Sequence, residues 1–122
     1  MLEKVPEGIA DHTQMLKSLI EEQGESLKKE HCKGMEGRVA EAIKHTIEDA
    51  PESGPVLDAA IIAQYQRMTH YGITGFGTVT AFAKALQLAE EHERLESAVG
   101  DMYESDELMT ELAESAVNVK AV

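Results

Sequence analysis

Several residue types are scarce in this sequence, and each shortage excludes a class of protein. A single cysteine, Cys32, rules out an intrachain disulfide framework. There is no tryptophan, and with three tyrosines and two phenylalanines in 122 residues the core must be largely aliphatic. Three prolines and few β-branched or aromatic runs favour helices over strands. No apolar run approaches the ~20 residues of a spanning helix and no signal peptide is recognisable, so we expect a cytoplasmic protein without a membrane partner.

Basic residues are scarce as well. Eleven Lys and Arg against 23 Asp and Glu give a formal net charge of −12. Such a charge repels nucleic-acid phosphates and anionic lipids, so neither is an expected partner. Binding to a basic protein is a weaker reading of the same charge. The length predicts one domain, residues 1–122, with a modest core.

Apolar residues recur every three or four positions, which predicts an all-α fold. The pattern, with its prolines and glycines, predicts three long antiparallel helices at about 6–29, 56–86 and 89–119. A shorter helix is expected at about 35–49. Apolar sides are also predicted on the other three helices: Ile9, His12, Leu16, Leu19/Ile20 and Leu27 on the first; Val39, Ala42/Ile43 and Thr46/Ile47 on the short one; and Leu95, Val99, Met102, Asp106, Met109, Ala113 and Ala116 on the last. Neither glycine nor proline separates the last two helices, so a fused helix is the alternative there.

The third helix is the one around which we expect the others to pack. Its inward stripe is predicted to be Ala59, Ile62, Ile73, Phe76, Thr80 and Ala83. The stripe keeps its phase through Gly72, Gly75 and Gly77, so we expect a neighbouring helix to approach closely there. Polar residues near its middle need hydrogen-bond partners if they are buried.

Three long helices supply only three sides of a four-helix bundle. One apolar groove would stay uncovered, and exposed apolar surface of that size usually marks a partner surface. We therefore expect a homo-oligomer, and specifically a dimer that completes the bundle.

Three segments carry distinctive motifs: CKGMEG at 32–37, LDAAIIAQYQRMTHYGITGFGT at 57–78 and SDELMTELAESAVNVKA at 105–121. In this order they resemble a Cys-x-x-Met-Glu-Gly motif, the central signature and the last helix of the small bacterial ferritin-like proteins of the YciE/YciF type. The likeness covers about 16–121. It implies a ferritin-like bundle, a link to bacterial stress and a suspected di-iron-like centre. Against that pattern the chain begins near the family's second helix, so either a partner supplies the fourth side or the architecture has been rebuilt.

Several carboxylates of the family pattern are replaced here. Where the family has Glu-His-Tyr-Glu, this chain has Thr69-His70-Tyr71-Gly72, and where the family has Glu-Glu-Thr it has Glu7-Gly8-Ile9. The family's acidic cluster in the last helix is replaced by Gly100-Asp101-Met102. A di-iron bundle needs inward glutamates from several helices. The resemblance thus implies a depleted metal site.

The remaining inward polar residues are predicted to be His12, Gln66, Thr69, His70 and Asp106. One interpretation is a mononuclear site with His12, His70 and Asp106 as ligands, because two imidazoles and a carboxylate suit zinc or iron(II). A wider pool of ligands adds Glu7, Asp101 and Glu104. The interpretation that we favour is a buried hydrogen-bond network in which His70 donates to Asp106.

Two functional hypotheses follow. The leading one is a non-enzymatic, stress-related helical protein that self-assembles, with a degenerate metal site and no cofactor. The alternative is a ferritin-like metal-binding protein or oxidoreductase, whose iron or other divalent metal has rearranged ligands or ligands shared between chains. Of the other candidates, His45 and His92 are expected to be solvated and Cys32 to be a packing residue.

Overall fold

The computed structural model describes residues 2–26, 28 and 30–122, and within these ranges the chain is helical without strands. The helices are α1 (Val5–Glu22, after a 3-10 turn at Leu2–Lys4), α2 (Lys33–Ile43), α3 (Pro55–Ala85), α4 (Ala89–Leu112) and α5 (Asn118–Ala121). One π-helical turn, Lys44–Glu48, extends α2, and a second, Ala113–Val117, joins α4 to α5. The predicted all-α fold is confirmed. None of these helices combines the length and the hydropathy that a bilayer-spanning segment requires.

The first predicted helix is too long. It ends at Glu22 because Gly24 adopts a left-handed φ of +78°, which glycine adopts without steric cost. Leu27, assigned to its apolar stripe, and Lys29, its predicted end, lie outside the described residues. The fused alternative for the last two helices is also wrong, because the chain turns at Gln87, whose φ is 59°.

The antiparallel pair of α3 and α4 is the frame of the fold. At 31 residues α3 is about 47 Å long, whereas the 18 residues of α1 span about 27 Å. The end of α1 is tied to the start of α4 by an ion pair between Glu22 and Arg94 (3.1 Å), so α1 lies beside the second half of α3. The start of α2 contacts Tyr71 in the middle of α3. The two shorter helices therefore flank different halves of α3.

The core consists of two clusters, one beside each half of α3. Leu19 of α1 packs with Ala83 and Leu95 at one end. At the other end Ile62 packs with Met109, Ala113 and Val117. The predicted α3 stripe is confirmed, because each of its residues is buried or half-buried.

Other predicted apolar sides remain uncovered in the single chain. Ile9 of α1 is exposed, and so are Val39, Ile43 and Ile47 on α2 and its π-helical turn. No residue of α2 is fully buried. In the described part of the chain, α1 and α2 thus both have exposed apolar side chains.

The expectation of close helix approach at three glycines is wrong within one chain. A Cβ built on Gly75 or Gly77 meets nothing within 4 Å. At Gly72 it would meet only the Met102 sulfur, at an ordinary 3.6 Å. Gly75 and Gly77 thus border open space, and packing inside the chain does not account for those two glycines.

Candidate functional site

Polar contacts cross between the middle of α3 and the last two turns of α4. Gln66 and His70 are one turn apart on α3, as are Asp106 and Thr110 on α4. Antiparallel packing pairs them in order: the Gln66 amide donates to Thr110 Oγ1 (2.9 Å), and His70 Nε2 lies 2.8 Å from Asp106 Oδ2. We call these four residues the polar ladder. They fix the register of the two helices between the two apolar clusters.

The His70–Asp106 pair sits at the edge of the bundle. The Asp106 side chain is 18% exposed and that of His70 is 58% exposed, so His70 points outward rather than inward as predicted. The second carboxylate oxygen, Asp106 Oδ1, is buried and has no hydrogen-bond partner among the described residues. A buried carboxylate oxygen without a donor is costly. This oxygen is where a further donor or a cation would be stabilised.

A second histidine–carboxylate pair joins α1 to α4. His12 Nε2 lies 3.1 Å from Asp101 Oδ2, and the imidazole ring tilts against Phe76 with centroids 5.9 Å apart. His12 is largely buried, as predicted, while Asp101 is exposed. Phe76 lies six residues beyond His70, or about 9 Å along the helix axis. The two pairs are therefore separate.

The three predicted ligands do not share a site in one chain. Within the part of the chain that the structure describes, no three His, Cys, Asp or Glu side chains come together around one position. Glu7 and Glu104 are exposed and join neither pair. Two donors are fewer than the three protein ligands of an ordinary catalytic zinc site. The described residues of a single chain thus do not bring together the ligands of a di-iron or a mononuclear centre, and metal binding stays a prediction that needs further ligands.

A contact that the sequence did not reveal holds the start of α2 on α3. Cys32 Sγ lies 3.0 Å from Tyr71 Oη, and the Arg38 guanidinium carbon lies 4.9 Å from the centre of the Tyr71 ring. Cys32 is exposed rather than packed, contrary to the prediction. The Tyr71 hydroxyl lowers the pKa of the Cys32 thiol by donating to its thiolate, and backbone N–H groups at the start of α2 add to this. The same contact raises the pKa of Tyr71.

His92 also departs from its predicted role. Its Nδ1 lies 3.1 Å from the Thr80 carbonyl oxygen, which accepts a hydrogen bond from the ring and ties the start of α4 to α3. His45 is exposed beside Glu41, as expected for a solvated residue. The contacts of Cys32 and His92 join residues distant in sequence, so no local pattern identifies them.

Two depressions on the described surface are open. One, of about 430 Å³, lies beside His12 and Asp101, and another, of about 470 Å³, runs along α2 beside Cys32. Neither is an enclosed cavity. Enclosure is what lets a ligand pocket bury most of its ligand.

Comparison with known proteins identifies relatives of this chain. The profile of the DUF892 family, described as a domain of unknown function, matches residues 1–122. Protein YciF of Escherichia coli (strain K12) is 33% identical over 95 residues, which cover 78% of this chain and 56% of YciF. The chain thus spans just over half the length of that curated relative. A solved structure described as the crystal structure of the E. coli stress protein YciF matches with a TM-score of 0.78 and 28% identity, covering 97% of this chain and 78% of the other. The prediction of a ferritin-like helical bundle of the YciF type is confirmed.

Proposed function

The chain belongs to the DUF892 family, and from this premise we propose that it is a stress-related ferritin-like protein that acts by self-association rather than by catalysis. The functional unit is a homo-oligomer, most simply a dimer, in which a second copy covers apolar surface that one copy leaves bare. Its strong negative charge argues against nucleic acid or anionic membrane as the partner.

The observation that carries this proposal is the amount of exposed surface. The chain exposes 8647 Å² at a mass of 13.3 kDa. A self-contained monomer of that mass exposes about 6,450 Å² by the scaling of surface with mass, so the excess is about 2,200 Å². A specific interface of standard size removes about 800 Å² from each partner. The excess is ample for one such interface.

Self-association predicts a stability that depends on protein concentration. By light scattering after gel filtration we expect about twice the chain mass of 13.3 kDa. Over about a hundredfold dilution the Tm should fall, because association stabilises the folded chain by mass action. Circular dichroism melts at each concentration measure this. A mass of one chain together with an unchanged Tm throughout the dilution series would refute the proposal.

One observation favours the alternative of a metal-binding protein. The buried, unpartnered Asp106 Oδ1 lies beside a histidine, and an imidazole with a carboxylate is a pair that divalent metals accept. The remaining ligands would come from a second chain. Asp101 and Glu104 are exposed, so a second chain could reach them.

Metal analysis separates the two functions. For protein purified without an affinity tag, we expect iron, zinc and manganese well below one ion per chain, unchanged in His70→Ala and Asp106→Ala. The matched control is His45→Ala, which removes a histidine that also pairs with a carboxylate. Near-stoichiometric metal that is lost in the first two variants and kept in the control would establish the alternative.

A further inference from the structure

The face of α3 that carries Tyr71, the residue that α2 contacts, continues as a bare apolar stripe. Along this face the residues recur every three or four positions: Leu57, Ile61, Gln64, Met68, Tyr71, Gly75, Val79, Phe82 and Leu86. The first five are buried or half-buried. Beyond Tyr71, where α2 begins, the side chains of the stripe become exposed: Val79 by 48%, Phe82 by 65% and Leu86 by 67%. We call Gly75, Val79, Phe82 and Leu86 the α3 seam.

The surroundings of the α3 seam are unusual in this acidic chain. Residues 68–83 contain no Asp, Glu, Lys or Arg, although 28% of the whole sequence is charged. Two copies that each carry a net charge of −12 repel least where they meet through an uncharged surface. Lys84, between Phe82 and Leu86, is the one charged residue within the span of the seam, so a strongly charged partner would find little opposite charge there. The chemistry of the α3 seam therefore favours an apolar, uncharged helix face, such as a second α3 seam.

The spacing of the α3 seam matches itself when it is reversed. Its four residues are separated by four, three and four positions, an order that reads the same in both directions. In an antiparallel pair related by a two-fold axis, Gly75 would face Leu86 of the second copy and Val79 would face Phe82 of the second copy. The open space at Gly75, where an added Cβ meets nothing within 4 Å, leaves room for that leucine. The smallest residue would thus face a large one.

We propose that the α3 seam is the interface between two copies of this chain, packed antiparallel about a two-fold axis near Thr80 and Ala81. Such an interface is isologous, so each contact occurs twice and the assembly closes at two copies. The proposal rests on the proposed self-association and specifies its surface. The excess of about 2,200 Å² over a self-contained monomer is large enough to supply the roughly 800 Å² that each copy of a stable dimer buries.

A pair of charged substitutions tests the surface. Val79→Glu with Phe82→Glu should raise the dissociation constant of the dimer by about a hundredfold or more, because carboxylates would be buried without partners. The matched control, Val39→Glu with Ile47→Glu, adds the same charge to exposed apolar positions of α2 and its π-helical turn. It should change the constant by no more than about threefold. Sedimentation velocity gives the constants, and circular dichroism checks that both variants stay helical.

Each outcome has a distinct meaning. If the natural chain never dimerises, both the proposed function and this interface fail. If it dimerises and the variant of the α3 seam dimerises equally well, self-association stands and this interface is wrong. Dissociation of the control alone would assign the interface to α2.

A second pair of variants tests the antiparallel register without adding charge. Gly75→Leu adds a better helix former in open space, so the single chain should stay folded. In the dimer it would occupy the space of the facing Leu86 and raise the dissociation constant about tenfold or more. Adding Leu86→Ala should restore dimerisation to within about threefold, because the two positions face each other and their effects are coupled. Failure of this rescue would contradict the register.

Discussion

Replacing Leu95 with alanine should lower the free energy of unfolding by about 2–5 kcal/mol, because it leaves a cavity in the cluster where α1 meets the α3–α4 pair. Leu95 is only 2% exposed and packs with Leu19 and Ala83. Met109, 1% exposed, has the equivalent place in the other cluster, and Met109→Ala should cost a similar amount. The two residues are 14 positions apart, or about 21 Å along the helix, so their effects should add.

The double variant should therefore lose about 4–10 kcal/mol, much of the ~6–18 kcal/mol expected for a domain of this length. Urea unfolding followed by circular dichroism, at one fixed protein concentration, measures the loss. Leu108→Ala is the matched control, since it truncates a neighbouring, exposed side chain on the same helix and should cost less than about 1 kcal/mol. An equal loss in the control, or losses below about 1 kcal/mol at both buried positions, would contradict the assignment of two clusters.

The second large effect is expected where α2 begins. A Cβ added at Gly34 would lie 2.5 Å from Tyr71 Oη, too close for the phenol to stay. In Gly34→Ala, Tyr71 must therefore move away from Cys32. The pKa of the Cys32 thiol should then rise toward its ordinary value, because it loses the hydroxyl that stabilises the thiolate. At pH values below the pKa of the thiol, the rate of Cys32 alkylation by iodoacetamide should be several-fold lower than in the natural chain. The pH profile of alkylation should shift to higher pH.

The same substitution should loosen α2, which has no fully buried residue to hold it. Hydrogen exchange of α2 amides should accelerate relative to α3 and α4. Gly37→Ala is the matched control, because it adds the same methyl group to the same helix with nothing within 4 Å. It should stabilise α2 by up to about 1 kcal/mol through helix propensity and leave alkylation unchanged. Equal alkylation profiles in the two variants would show that Tyr71 does not set the reactivity of Cys32.

Periodicity was sufficient to predict that these segments are helical and which residues of α3 and α4 face inward, but it did not predict where α1 ends. Residues such as Ile62, Leu95 and Met109 are buried where the pattern places them, since a long helix that packs on another must bury one face. The same reasoning failed for Ile9 and Val39, whose side chains remain exposed in the single chain. An apolar pattern identifies a helix face that must be buried. It does not say whether the helix that buries it belongs to the same chain or to a partner.

The candidate site was harder to predict. The contact between His70 and Asp106 follows from spacing, because each lies one turn from another polar residue on its own helix. The position of His12 does not, because it depends on how far along the α3–α4 pair α1 lies. The cluster of Cys32 and Tyr71 joins residues 39 positions apart. Only the three-dimensional arrangement of α2 on α3 brings those two groups together.

The dependence of α1 and α2 on later helices has a consequence for synthesis on the ribosome. α1 packs against α4 and the second half of α3, while α2 is held by Tyr71 of α3. A short helix alone is only marginally stable in water. The first half of the chain must therefore leave the ribosome before the helices that it packs against have been synthesised. Its native contacts form only after the α3–α4 hairpin, whose residues are close in sequence and pair quickly. Chaperones that hold nascent chains would therefore encounter α1 and α2 before α3 and α4 have been synthesised.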